Sequence, residues 1–266
     1  MASVVLPGCT RKKVQAETLS DTTTISEQNS SMISEAPADT IHYDYTTFPT
    51  DSQLSLKVLR EGEFHHDEVW EDAGKMAWMG LFRGDAGYYL SATQIRTKRV
   101  NDAILDNENE KTGWQVTAQH EDSCLLLVEA LPYLSERTVP SASLPSDIIL
   151  PGDTLHLSFL GKDYYIFATG GKEKVDDSDW YNVWNYKLYI ETNAKANSRS
   201  LLVAQPNFDD AMIMLLFAGD IDGDGILDLI IDTSRHYNME QPTLYLSGHV
   251  PEREVVIPAG SHRREG

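Results

Sequence analysis

The stretch Thr154-Leu155-His156-Leu157-Ser158-Phe159-Leu160-Gly161-Lys162-Asp163-Tyr164-Tyr165-Ile166-Phe167-Ala168 decides the fold. Apolar and polar residues alternate along it. A period of two puts Leu155, Leu157 and Phe159 on one face and His156 and Ser158 on the other, as in a half-buried strand. Gly161-Lys162-Asp163 reads as the turn, so the stretch predicts a β-hairpin. Pro151-Gly152-Asp153 has the chemistry of the turn that enters it, and Gly170-Gly171 that of the turn that leaves it. Working outward, 87–93, 114–117, 124–128, 186–191, 201–204, 211–217, 227–232, 243–246 and 254–257 are further short strand candidates, rich in β-branched and aromatic residues. Helical signal is confined to one or two turns within 99–110. The expected fold is therefore mostly β, an antiparallel sandwich or an irregular barrel-like domain.

The chain has 266 residues, with 22 Lys and Arg against 41 Asp and Glu and a formal charge of −19. That balance argues against nucleic acid, because phosphate binding needs a basic surface. It suits cations or basic partners. No apolar run approaches the ~20 residues of a membrane-spanning helix, and two cysteines build no disulfide framework.

Residues 1–40 differ from the rest. They are dense in Ser, Thr, Glu and Gln, and their scattered apolar residues have no period, so a disordered tether is expected. Val4-Val5-Leu6-Pro7-Gly8-Cys9 resembles the lipobox of bacterial lipoproteins, and that resemblance implies acylation of Cys9 and an extracytoplasmic, membrane-tethered protein. The alternative is a tail with an incidental cysteine. The globular part would then span 41–266. The Ser- and Pro-rich stretch 135–150 reads either as a seam between two β-subdomains or as an exposed loop.

Residues 219–231 read Gly-Asp-Ile-Asp-Gly-Asp-Gly-Ile-Leu-Asp-Leu-Ile-Ile. Asp220, Asp222, Asp224 and Asp228 occupy positions 1, 3, 5 and 9 of a loop, with glycines at 4 and 6. Four carboxylates in nine residues repel one another unless a cation neutralises them. A flexible cage of oxygens, completed by the Ile226 carbonyl at position 7, suits Ca²⁺ better than Mg²⁺. Position 12 is Ile231 where an EF-hand has a bidentate Glu, and the flanks are strand-like. A calcium loop between two strands is similar to the FG-GAP repeat of integrin α-chain propellers, whose opening matches Phe217-Ala218-Gly219. The resemblance covers about 20 residues and a single copy. It implies metal positions at Asp220, Asp222, Asp224, the Ile226 carbonyl and Asp228. Asp220-Ile221-Asp222-Gly223 also resembles the opening of haloacid-dehalogenase phosphatases, but Asp224 stands where those have Thr.

Other groups are open to two readings each. His65-His66-Asp67-Glu68 has metal-ligand residue types, yet neighbours on a strand diverge, which favours a solvated loop. His236-Tyr237-Asn238 beside Arg235 reads as a turn or as a polar cleft wall. Trp180, Tyr181, Trp184 and Tyr186 after Asp176, Asp177 and Asp179 read as core or as a sugar platform. Cys124 reads as a buried small hydrophobe. No nucleophile elbow, phosphate loop or His-Glu-x-x-His helix is present. The expectation is an extracytoplasmic calcium-binding module without catalysis, its partner a protein or a glycan. The alternatives are a secreted or periplasmic glycan hydrolase and an inhibitor or immunity protein for a basic target.

Overall fold

The computed structural model describes residues 42–193, 198–248 and 250–266, and His42–Gly266 form one compact unit. Cys9 and the tether lie outside the described residues. The fold is mostly β. In chain order the strands are β1 (Val58–Leu59), β2 (Gly62–Phe64), β3 (Trp78–Gly84), β4 (Gly87–Thr93), β5 (Ile95–Val100) and β6 (Gly113–Ala118). They continue as β7 (Ser123–Glu129), β8 (Arg137–Val139), β9 (Thr154–Phe159), β10 (Lys162–Lys174), β11 (Tyr181–Thr192) and β12 (Ser198–Asn207). The last third holds β13 (Met214–Gly219), β14 (Asp228–Asp232), β15 (Met239–Glu240), β16 (Pro242–Leu246), β17 (Ile257–Ser261) and β18 (Arg264–Glu265).

These strands form four main antiparallel sheets and a small β15–β18 pair. Sheet orders are β2-β6-β5, β1-β7-β3-β4-β8, β13-β14-β16-β17 and β12-β11-β10-β9. Three hydrophobic cores separate the four. Trp78, Phe82 and Leu127 of the five-stranded sheet pack against Phe64, Ile95, Trp114 and Val116 of the three-stranded one. Its other face, with Met79, Leu81, Leu126 and Val128, meets Phe217, Ile230, Leu244 and Leu246. Leu215, Leu229, Ile231 and Tyr245 cover the opposite face of that sheet and meet Leu157, Ile166, Leu188 and Ile190. The molecule is thus a sandwich-like succession of open sheets, of which the two inner ones are buried on both faces.

The quoted hairpin forms with Leu155, Leu157 and Phe159 inward. Its turn is shorter than the residue types suggest. Lys162 pairs with Phe159, so only Leu160 and Gly161 connect the strands, with φ of 48° and 77°. Positive φ at both central residues gives the backbone twist that matches a right-twisted hairpin. Leu150-Pro151-Gly152-Asp153 closes with a 2.9 Å bond from the Asp153 N–H to the Leu150 carbonyl, and Gly152 supplies φ 90°. Gly170-Gly171 does not leave the hairpin. β10 runs on to Lys174, and these glycines form a β-bulge where the Trp184 indole lies over Gly171, 2.2 Å from where a Cβ would stand.

Other expectations shift. No helix forms in 99–110; after β5 the chain makes tight turns, one closed by the Asp106 N–H on the Asp102 carbonyl at 2.9 Å. Residues 254–256 are not strand: β17 starts at Ile257, and the Val255 and Val256 N–H groups both donate to Ser200 Oγ, at 2.9 and 3.1 Å. The 211–217 strand starts only at Met214. Within 135–150, Arg137–Val139 joins the five-stranded sheet, and the following residues run along the outer edge of β13. Ser141 bridges Gly219, the Ala142 N–H donates to Ala218, and the Asp147 carbonyl accepts from Leu215.

Candidate metal centre

The acidic loop joins β13 to β14, the first two strands of a sheet buried on both faces. Leu229 and Ile231 point into one core and Ile230 into the next, which fixes the exit strand. At the entry a β-bulge between Leu215 and Phe217 turns Phe217 to the face opposite Leu215. Gly219 pairs with Asp228 as the last rung of the ladder, so 220–227 hang from a closed neck.

Within that loop the backbone curls around its own carboxylates. The Gly223 N–H donates to Asp220 Oδ1 at 2.7 Å, Asp224 to Asp222 Oδ1 at 3.3 Å, and Ile226 to Asp224 Oδ1 at 2.7 Å. Gly223 and Gly225 take φ of 92° and 77°, a region side-chain-bearing residues avoid. Gly223 is needed for space as well, since its Cβ would stand 3.0 Å from the Arg137 guanidinium carbon. The alternate spacing is thereby converted into convergence. Asp220, Asp222 and Asp224 each bring one oxygen within 4.8 Å of the others, from buried, half-buried and exposed positions respectively.

Asp228 stands apart from this triad. Its side chain is fully buried and already engaged: Oδ2 accepts from the Ile221 and Asp222 N–H groups at 2.6 and 3.1 Å, and Oδ1 from the Ser247 N–H and hydroxyl, both at 2.7 Å. Ile226 touches the triad through its N–H, on Asp224 Oδ1, while its side chain packs against the core between the sheets.

Residues distant in sequence complete the cradle. The Gly248 N–H donates to Asp222 Oδ2 at 3.0 Å, and the Ser247 hydroxyl shares its proton between Asp228 and Asp224 Oδ1, the latter at 3.1 Å. Arg137 donates to the carbonyls of Asp220 and Ile221, with its guanidinium 3.6 Å from Asp220 Oδ1. Lys162 reaches the Gly225 carbonyl at 2.7 Å, and the Leu227 N–H meets the Tyr164 hydroxyl at 3.3 Å. None of these has a local signature. They come from β8, β10 and the segment after β16, and only the packing of the sheets brings them to the loop.

The electrostatics follow from burial and like charge. Burial raises the Asp222 carboxyl above its ordinary value, and the Asp224 charge adds to it. Burial pushes Asp228 well above the usual carboxylate range, and Asp222 adds to it. Among the described residues Arg137 is the one cation in ion-pair contact with the loop. The arrangement favours uptake of positive charge.

The remaining groups scatter. His65 bonds Asp102 through Nδ1 at 2.7 Å and does not converge with His66, Asp67 and Glu68 on a metal position. His236 pairs with Asp209 at 2.9 Å and stacks on Tyr237. Tyr186 is core, its hydroxyl on the Ile149 carbonyl, whereas Trp180 is 40% exposed. Cys124 is half-buried against the outermost core, and burial raises its thiol to about 12, so the protonated form prevails at neutral pH. No protein-family model, curated protein or solved structure matches the chain.

Proposed function

We propose that the 219–228 loop binds Ca²⁺ and that the protein is an extracytoplasmic, non-enzymatic β-module whose inner sheet the metal clips. The observation that carries the reading is the convergence of the Asp220, Asp222 and Asp224 oxygens within 4.8 Å. Oxygens bound to one Ca²⁺ at 2.3–2.6 Å lie no farther apart than about 5 Å, so these three fit a common centre. The Ile226 carbonyl and Asp228 are the remaining positions that the FG-GAP resemblance implies, and Asp228 also holds the loop's shape through Ser247. The metal would supply positive charge to a cluster that otherwise repels itself. Extracellular modules bind Ca²⁺ with dissociation constants of roughly 10⁻⁴–10⁻³ M, which agrees with a location outside the cytoplasm. The lipobox-like Cys9 and the polar segment after it support tethering to a bacterial membrane.

The test is thermal unfolding of Asp222→Ala and Asp224→Ala in calcium and in chelator. At a hundredfold excess over Kd the metal adds about 2.7 kcal/mol. Asp224→Ala is expected to lose that increment in calcium while changing little in chelator, and Asp222→Ala, which also strands the Gly248 N–H, to lose it on top of a smaller loss common to both conditions. Equal loss in both conditions would mean that the carboxylates act through hydrogen bonds alone.

A further inference from the structure

Asn101–Thr112, between β5 and β6, is a loop with a rigid interior and an apolar tip. Ile104 and Leu105 are 66% and 60% exposed, the most exposed large aliphatic side chains among the described residues. Their exposure does not come from a slack backbone. The Ile104 and Leu105 N–H groups both donate to Oδ1 of Asp102, at 3.0 and 3.1 Å, and the Asp102 side chain is 1% exposed. Oδ2 of the same carboxylate is held by His65 at 2.7 Å. Asp106 accepts from the Asp102 and Thr112 N–H groups, both at 2.8 Å, and the Asn101 amide spans to the carbonyls of Asn107 and Glu110. A loop tied at so many points could turn two aliphatic side chains inward; this one holds them out. The same two side chains line an open groove of about 550 Å³ together with His65, His66, Asp67 and Arg263. Arg263 is neutralised by Glu265.

We infer that this loop is a docking element for a protein partner that offers an apolar helix face flanked by Lys and Arg. A pair of aliphatic anchors on a preordered backbone loses little conformational freedom on binding, and an apolar centre within a polar rim is the usual anatomy of a recognition patch. Charge complementarity selects the partner. Asp67, Glu108 and Glu110 are exposed around the tip, Lys111 is the loop's one cation, and the chain carries −19 overall. The same charge disfavours an anionic bilayer and a second copy of this chain as the occupant.

The probe is a twelve-residue amphipathic helix of Leu and Lys, titrated into the full chain by calorimetry, with a Leu–Glu peptide of the same pattern as control. The Leu–Lys peptide is expected to bind and the Leu–Glu peptide not to. Ile104→Ser/Leu105→Ser is expected to weaken binding at least tenfold at unchanged melting temperature, and Asp67→Lys/Glu108→Lys to weaken it as well. Because both pairs are exposed, the variants fold. Binding that is lost in salt but indifferent to Ile104 and Leu105 would be general attraction to an acidic protein and would overturn the proposal. So would absence of binding, sedimentation with phosphatidylcholine–phosphatidylglycerol vesicles that depends on Ile104 and Leu105, or a dimer in sedimentation velocity that the same substitutions abolish.

Discussion

Asp228 and Asp224 stand four residues apart in one acidic loop, yet they hold it by different means. Asp228 is buried and takes four hydrogen bonds, two of them from Ser247. Asp224 is exposed, so water can replace the bonds its Oδ1 accepts from Ile226 and Ser247, and its charge faces the acidic cluster. Removing a buried acceptor strands its donors at about 1–3 kcal/mol each. Asp228→Ala is therefore expected to cost about 3 kcal/mol or more with and without calcium, by chemical denaturation, in contrast to Asp224→Ala. His262 gives the residue-scale pH dependence. It is packed against Phe64 and Trp70, with Nε2 at 2.7 Å from the Glu68 carbonyl, and burial lowers its pKa below 6.5. Between the lowered value and 6.5 the unfolded chain binds the extra proton, so stability falls as pH drops through that window. Unfolding midpoints from pH 7.5 to 5 are expected to fall less steeply in His262→Gln than in the parent. At this scale the spacing of Asp220, Asp222 and Asp224 was legible, because loop positions 1, 3 and 5 converge by local geometry. Arg137, Ser247 and Gly248 were not, because nothing in their own neighbourhoods points to the loop.

Among the elements, the outer sheet of β9 to β12 was the readable one. β9 alternates exposed and buried residues along its whole length, since one face meets solvent. β3 shows five successive buried residues and β16 is buried throughout, because both faces of their sheets are covered. A period of two vanishes there, which is why β3 gave no strand signal and only turn residues bounded the others. Bulges mislead further: the one at Gly170-Gly171 has turn composition inside a continuous strand. The hairpin turn offers a direct check. Leu160 sits at φ 48° and is 56% exposed, so it bears the strain of a left-handed conformation with little burial in return. Asn tolerates that region and Asn-Gly is the favoured pair for such a turn. Leu160→Asn is expected to raise stability by about 1 kcal/mol in urea; a loss would mean that the Leu160 side chain makes a packing contribution larger than its exposure implies.

For the whole molecule, the succession of sheets makes a contrast that a single two-layer sandwich would not. Leu229 and Ile230 are neighbours on β14 that point into different cores. Leu229→Ala and Ile230→Ala are each expected to cost about 2–5 kcal/mol. On the outer sheet Tyr165→Ala should cost far less than Ile166→Ala, since Tyr165 is 39% exposed and Ile166 is fully buried. The mostly β class could be read from composition and alternation, but the order of the layers could not, because it is set by which core each inner residue chooses. The same layering places the acidic loop at the end of a strand pair gripped from both sides, where a bound ion would stabilise the inner sheet directly. Calorimetric titration of chelator-stripped protein with Ca²⁺ and then Mg²⁺ tests that central claim most directly. One site per chain that prefers Ca²⁺ and is lost in Asp224→Ala is the result predicted; absence of Ca²⁺ binding to protein that remains folded would contradict it.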